Sequence, residues 1–342
     1  MTPKRFAEIT KRYAQLRIAV LGDFCLDRYL EIDPDKQETS LETGLAVHNV
    51  IQVRAQPGAA GTILNNLSAL GVGEIYAIGF AGEDGEGYEL YHSLQQRPGV
   101  RLDYFVRTPL RRTFTYCKPL IVAKGRPPRE LNRLDIKNWD RTPPLVQNQL
   151  LQAVREAAGH VDALIVMDQV DEPDTGVVTA DVVQELHDLV ARRPEWLVLA
   201  DSRRGLLGYP PVCLKMNRAE LSRLTRLCLQ ASLQEIGKAA AALAQHNGQP
   251  VFVTLAEQGL LGAAPQGTVD HLPAFPLRGE IDVVGAGDAV TANLAAALAA
   301  GASIREALEL ASAAASIVIH QLGTTGTASV AQLQEFIYYT YL

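Results

Sequence analysis

Cysteine is scarce and scattered. Cys25, Cys117, Cys213 and Cys228 are the four present, and no two stand at a metal-binding spacing or outline a disulfide framework. They are expected as apolar fillers in a reduced, cytoplasmic protein. An N-terminal apolar core is also missing: MTPKRFAEITKRYAQL has the spacing of an amphipathic surface helix, not of a secretory leader. No apolar run is long enough for a membrane span, because the alanine-rich stretch after Asp288 is broken by Asn293, Arg305 and Glu306. Positive charge is in deficit, with Lys+Arg 32 against Asp+Glu 38 and a net charge of -6, so a polyanion meets no long-range attraction. The basic stretch from Arg101 to Arg133 is interrupted by proline and acidic residues. Neither nucleic acid nor a membrane is an expected partner.

Several catalytic signatures are absent too. The sequence contains no GxxxxGK[ST] phosphate loop, no HRD or DFG set and no GxSxG elbow, and its histidines have no metal-ligand spacing. What remains is an alternation of apolar runs and helical periodicities. RIAVLGDF reads as a first buried strand ending in an acid, and PGAAGTILNNLSALG as a turn entering a helix with Ile63, Leu64, Leu67 and Leu70 on one face. From Pro143 onward the alternation of strand and helix becomes regular. It predicts a mostly parallel sheet covered on both faces, with ligands at the carboxyl ends of its strands. Two segments, at approximately 29–54 and 101–135, instead alternate in short pieces and are expected to form a small inserted sheet. Its exposed edges favour pairing with a second copy, so a homodimer through this element is expected. For the terminal LQEFIYYTYL, a strand and an oligomer contact are both open.

Candidate chemistry gathers at strand ends. In IDVVGAGDAV, Gly285 and Gly287 let backbone approach a ligand, and the amides at the foot of the next helix attract negative oxygens. Asp288 in that turn could take a proton from a hydroxyl nearing phosphorus, or could simply cap the helix. MNRAEL places Asn217 and Glu220 three apart, which suits water-mediated Mg²⁺ binding and a capping box equally well. Asp23 and Asp27 follow the first strand, where carboxylates could accept from sugar hydroxyls or be ordinary turn and surface acids. Thr254, Glu257 and Gly259 lie where a nucleotide could sit, although a plain turn between strands would look the same. ADSRRG adds Arg203 and Arg204 as candidate oligophosphate contacts.

Taken in order and spacing, RIAVLGDFCLD, PGAAGTILNNLSALG, MNRAEL and IDVVGAGDAVTANLAAALAAG resemble the ribokinase-like, or PfkB, family of carbohydrate kinases over nearly the whole chain. Within it, GDFCLDRYL, the PGAAG turn and the segment ending in NRLD are most similar to the bacterial heptose 7-phosphate kinase domain. The resemblance implies a single α/β domain with a three-layer α/β/α core and a small β-strand lid. It implies ATP and Mg²⁺ as cofactors, with a monovalent cation as a further candidate. Asp288 resembles the catalytic base, and the amides of Ala286, Gly287 and Asp288 the anion hole, with Gly285 opening the turn. Asp23 and Asp27 match substrate-binding positions, Gly58, Ala59 and Thr62 occupy others, and Lys118 or Arg133 would neutralise a substrate phosphate. Asn217 and Glu220 match the NxxE motif that organises Mg²⁺ and its waters. Thr254, Glu257 and Gly259 match part of the nucleotide pocket.

The chain departs from the pattern in several places. Ala59 stands where a second glycine is usual, Thr62 replaces an asparagine, and Val284 replaces the threonine before GAGD. A strand-end DYAKG is replaced by DQVDEPDTG from Asp168, and DPKG by DSRRG. The expected function is therefore an ATP-dependent kinase for a sugar or sugar phosphate, such as a heptose phosphate. A non-catalytic sugar- or nucleotide-binding regulatory protein, or a kinase for a nucleoside-like alcohol, is the alternative.

Overall fold

In the computed structural model, which describes residues 1–339, the apolar runs become a large twisted sheet and the short alternating segments a second, smaller one. Helix α1 (Pro3–Thr10) is capped by Thr2, whose hydroxyl accepts from the Arg5 amide, and it buries Phe6 and Ile9. Strand β1 (Arg17–Gly22) is buried from Ile18 onward. After Asp23 the chain enters β2 (Phe24–Ile32), which leaves the large sheet. The pair β3 (Glu38–Thr39) and β4 (Ala46–Val47) leads to β5 (Val50–Ala59), which returns antiparallel to β2.

Helix α2 (Ala60–Ala69), β6 (Glu74–Gly82) and α3 (Gly85–Gln95) rejoin the main body, and β7 (Val100–Arg101) and β8 (Phe105–Thr108) both pair parallel with β6. Then β9 (Phe114–Ile121), β10 (Arg129–Glu130) and β11 (Leu134–Ile136) complete the small sheet, with β9 parallel to β2.

The second half alternates as its periodicity demands: α4 (Pro144–Ala158), β12 (Ala163–Asp168), α5 (Ala180–Arg192), β13 (Leu197–Ser202), β14 (Cys213–Asn217), α6 (Arg218–Thr225), α7 (Leu233–Asn247) and β15 (Val251–Thr254). Strands β16 (Leu260–Ala263) and β17 (Val269–Leu272) extend the edge as an antiparallel meander. Helices α8 (Ala286–Ala299), α9 (Ile304–Val318) and α10 (Val330–Tyr339) close the chain. The large sheet runs β17-β16-β15-β14-β13-β12-β1-β6-β7, and β1, β6 and β12 to β15 pair in parallel. One core packs α1, α2, α3, α8, α9 and α10 on one face; the other packs α4 to α7 on the opposite face. This is the three-layer α/β/α architecture with a small second sheet expected from the sequence. Among the described residues no helix is long and apolar enough to cross a membrane.

The expected limits of the small sheet are corrected. The small sheet starts at Phe24 and runs on to Ala59, because Phe24 and Leu26 register with Ala59 and Pro57. Residues 100 to 108 belong to the large sheet instead, since Phe105 is buried edge-on against Phe24 with ring centres 5.2 Å apart. The C-terminal segment is helical and not a strand as far as Tyr339; Thr340, Tyr341 and Leu342 lie outside the described residues. Leu333 and Phe336 are three apart and bury one face, and Phe336 meets Phe275 edge-on at 4.8 Å. That packing overrides the β preference of its tyrosines.

Candidate active site

Helix α8 sets the centre of the site. Its N-cap is Gly285 at φ 82, so Asp288 is the third helical residue and not the cap. Ala286 has spent its amide on the Val283 carbonyl at 3.2 Å. Among the described residues the amides of Gly285, Gly287 and Asp288 have no protein acceptor. These three amides are free to meet an anion, whereas the expected Ala286 amide is already engaged by a protein carbonyl. A fourteen-residue helix adds a favourable dipole at this end.

The Asp288 carboxylate is half-buried and takes no hydrogen bond from its own helix. Burial pushes its pKa up to about 7; Lys215 pulls it down, while the charges of Asp201 and Asp27 raise it further.

Lys215 is a participant that motif reasoning missed. It is 6% exposed in the middle of β14, and its Nζ donates to Asp201 Oδ2 at 2.6 Å, an oxygen that also accepts from Thr291 Oγ1 at 3.2 Å. A Cβ on Gly287 would sit 3.3 Å from that Nζ, so the bare glycine lets the ammonium lie behind the first turn of α8. Burial alone would discharge Lys215, but Asp201, Asp288 and Glu220 outweigh it and raise its pKa. The signal was available: a single cation inside the apolar run PVCLKMN has to find a buried partner.

The small sheet supplies the opposite wall. Register places Gln56 and Tyr116 on either side of Asp27, and Arg54 and Lys118 on either side of Tyr29, so these side chains share a face. Asp27 is 6% exposed, and its Oδ1 lies 3.9 Å from Lys118 Nζ. Burial raises its pKa against the pull of Lys118 and Arg133. Lys118 also reaches the Tyr29 hydroxyl at 3.4 Å. Arg133 grips Asp135 with two nitrogens, at 2.8 and 2.7 Å, and stacks on Tyr116. Arg54 donates to the Gly323 carbonyl at 3.1 Å, and Thr324 donates to Gln56 Oε1 at 2.8 Å, which ties this wall to the loop after α9.

Two of the expected substrate ligands are not free. Asp23 is 1% exposed, and its oxygens accept from the amides of Gln169 at 2.8 Å, Val170 at 3.2 Å and Val177 at 2.7 Å. Burial and the charge of Asp168 push its pKa up to about 6, against the pull of those amides. Three amides thus occupy the carboxylate, which braces the loop after β12. Thr62, also 1% exposed, turns its hydroxyl onto the Pro57 carbonyl at 3.4 Å inside the corner of β5 and α2.

Gly58 lies in the same corner. A Cβ there would fall 2.7 Å from Asp27 Oδ2 and 2.8 Å from Cys25 Sγ, so glycine makes room for the acid. Ala59 adopts φ 51 and ψ -116, a conformation that favours glycine.

At the end of β14, Asn217 and Glu220 form the reciprocal capping box of α6: Asn217 N donates to Glu220 Oε2 at 2.7 Å, and Glu220 N to Asn217 Oδ1 at 2.9 Å. Among the described residues no group of three or more His, Cys, Asp or Glu side chains could hold a metal ion. Burial raises the Glu220 pKa, which Lys215 and Arg223 oppose. Thr254 registers beside Asn217 at the same strand end. Glu257 is exposed in the hairpin turn between β15 and β16, and Gly259 closes that turn, where a Cβ would collide with the Leu272 carbonyl at 2.0 Å.

The pfkB family of carbohydrate kinases matches residues 16–331. "Bifunctional protein HldE" of Bradyrhizobium sp. (strain ORS 278) is 29% identical over 341 residues, which is 98% of this chain and 66% of that protein. This chain thus spans just under two thirds of the relative's length. Arabidopsis thaliana ribokinase complexed with ribose and ATP superposes with a TM-score of 0.66 at 19% identity, covering 95% of this chain and 99% of the other. Phosphofructokinase-2 from Escherichia coli in complex with potassium gives 0.69 at 19% identity, covering 94% and 98%.

Proposed function

The chain belongs to the pfkB family of carbohydrate kinases, and from that premise we propose that it transfers the γ-phosphoryl group of ATP to a hydroxyl of a sugar or sugar phosphate with Asp288 as base. The observation that carries this reading is Asp288 itself. It is a carboxylate without a structural partner, raised to about 7, in the same helical turn as unpaired amides. A base with a pKa near the working pH is well placed to take a hydroxyl proton.

Phosphoryl transfer has a loose transition state, so the chain's contribution is positioning and charge stabilisation. The amides of Gly285, Gly287 and Asp288 face the transferred group, with Lys215 behind Gly287. Asp27 orients the acceptor from the opposite wall. Lys118 and Arg133 sit beside it, where they would meet the phosphate of a sugar phosphate; a heptose phosphate fits the resemblance of GDFCLDRYL and the NRLD segment.

Glu220 keeps Oε1 outside the capping box, which suits Mg²⁺ arriving on the nucleotide with most of its waters. Bound there, Mg²⁺ would neutralise phosphate charge. Thr254, with Glu257 and Gly259 in the adjoining turn, is assigned to the nucleotide side, and a monovalent cation remains part of the proposal. Four unpaired cysteines support a cytoplasmic setting. Val53 and Leu134 lie on the face of the small sheet opposite Asp27, 48% and 62% exposed, and this apolar face supports a homodimer through the lid.

The test is a screen with ATP and Mg²⁺ across hexoses, pentoses, heptose phosphates and nucleosides, with the phosphorylated position determined in each product. A non-catalytic binder is the second reading, favoured by the withdrawn hydroxyl of Thr62. It would give tight sugar binding with no ADP formed across the panel.

A further inference from the structure

The chain passes between the two sheets four times: from β1 to β2 at Asp23, from β5 to α2, from β8 to β9 over residues 109–113, and from β11 to α4 over residues 137–143. These crossings are fastened to one another. The Ala60 amide donates to the Asp23 carbonyl at 3.2 Å, which joins the first two. Asn138 and Arg112 join the other two: the Arg112 amide donates to Asn138 Oδ1 at 3.0 Å, and Asn138 Nδ2 to the Arg112 carbonyl at 2.8 Å. Both pairs then meet on the loop after β12. The Asp23 carboxylate holds that loop by three amides, and Gly176 leaves it room, since a Cβ there would fall 2.4 Å from Asp23 Oδ1. From the fourth crossing, Thr142 Oγ1 donates to the Gly176 carbonyl at 2.6 Å, and the Thr142 amide to the Asp174 carbonyl at 2.7 Å.

Arg111 stands where these ties converge, and it is 7% exposed. One nitrogen donates to the carbonyls of Asp140 at 2.9 Å and Arg141 at 3.4 Å, and the other terminal nitrogen to the carbonyl of Thr175 in the loop after β12. Its Nε has no hydrogen-bond partner among the described residues, and burial lowers its pKa against the charges of Asp140 and Asp23. A buried charge bonded only to carbonyls costs stability that an apolar side chain of similar size would not. The rigid planar fork, in contrast, meets carbonyls of two separate segments at fixed angles.

We infer that Arg111 is a positioning residue that fixes the angle between the two sheets, by fastening the third and fourth crossings to the loop that Asp23 grips. Asp27 lies on β2 just beyond Asp23, and Arg54 and Gln56 on the adjoining strand touch the loop after α9. Thr325 of that loop lies against the foot of α8, where a Cβ on Gly285 would sit 3.2 Å from the Thr325 Cβ. The angle of the small sheet therefore sets how far Asp27 stands from the turn that carries Asp288. Misplacing a bound group by about 1 Å can cost about a hundredfold in rate. The consequence for turnover rests on the kinase reading; the coupling between Arg111 and the loop does not.

The test uses the full chain and its R111Q, R111K and N138A variants, with thermal unfolding run alongside. Hydrogen exchange is read at the amides of Gln169, Val170 and Val177, which are bonded to Asp23 and not to Arg111. They should exchange at least about tenfold faster in R111Q, and less so in R111K, which keeps the charge. Kinetics with the acceptor found in the screen should give a kcat/KM for that acceptor about a hundredfold lower in R111Q. Affinity for ATP should stay within about threefold, because α6 and β15 lie away from the crossings; general damage to the fold would lower both together.

N138A removes only the reciprocal bonds between the third and fourth crossings, so it should show the same pattern at about fivefold, and it decides the matter if R111Q does not fold. Unchanged exchange at the three amides, a parental kcat/KM, or an ATP affinity that falls as far as that of the acceptor would overturn the assignment. A parent chain that phosphorylates nothing, while its variants still loosen the three amides, would instead count against the kinase reading and leave the fastening in place.

Discussion

Replacing Asp288 with Asn should stabilise the protein at high pH, and the size of the effect follows from the site. The substitution is isosteric and removes no helix cap, because Gly285 fills that position and the carboxylate makes no bond to its own helix. Burial holds the acid at about 7 in place of its ordinary 3.8. At about 1.4 kcal/mol for each pH unit, ionised Asp288 costs roughly 4 kcal/mol, and partial solvent access lowers this to roughly 2. Between the two values the native state binds more protons than the unfolded chain, so stability falls as pH rises through that window. The advantage of D288N should thus be small near pH 4 and reach roughly 2 kcal/mol above about pH 8. Urea unfolding of both proteins at the two pH values measures it. An advantage that does not change with pH, or a variant less stable at the higher pH, would refute the reasoning.

The same acid governs the rate: turnover should rise with pH through about 7 and then level off, as a pH–rate profile under saturating substrate would show. Lys215→Met leaves Asp201 buried without its partner and should cost about 3 to 5 kcal/mol by urea unfolding. Because Lys215 lowers the Asp288 pKa, that variant should also move the pH–rate midpoint upward, while Lys215→Arg keeps the charge and should move it far less. Ala59→Gly relieves a φ of 51 and should stabilise by about 1 kcal/mol, backbone strain of about 1 to 3 kcal/mol being partly offset by the entropy of glycine. A loss of stability would show that the conformation is not strained.

The large sheet was legible because its strands are long apolar runs set between helical periods, and β12 through β15 follow that rhythm residue by residue. The small sheet was legible as an insertion but not in its limits. Phe24 and Leu26 look like a continuation of the first strand, and two-residue strands such as β10 leave no periodic signal. Motif positions named the right corners but could not report burial. Asp23 and Asp27 are four residues apart in one motif, yet Asp23 is enclosed by the amides of the loop after β12 while Asp27 faces the site. Spacing could not separate a metal ligand from a capping box at Asn217 and Glu220, since one geometry serves both. Lys215 lies outside every glycine-rich turn, and its significance comes from contacts with β13 and α8 that only the fold creates.

The most direct test of the central claim is single-turnover phosphoryl transfer from ATP to the acceptor identified in the screen, with wild-type protein and D288N compared at about pH 8, where the base is mostly ionised. A general base contributes about 10²- to 10⁴-fold, so D288N should lose at least about a hundredfold in the transfer step while its affinity for the nucleotide stays within a few-fold. Transfer by D288N at near the wild-type rate would contradict the assignment of Asp288 as the proton acceptor.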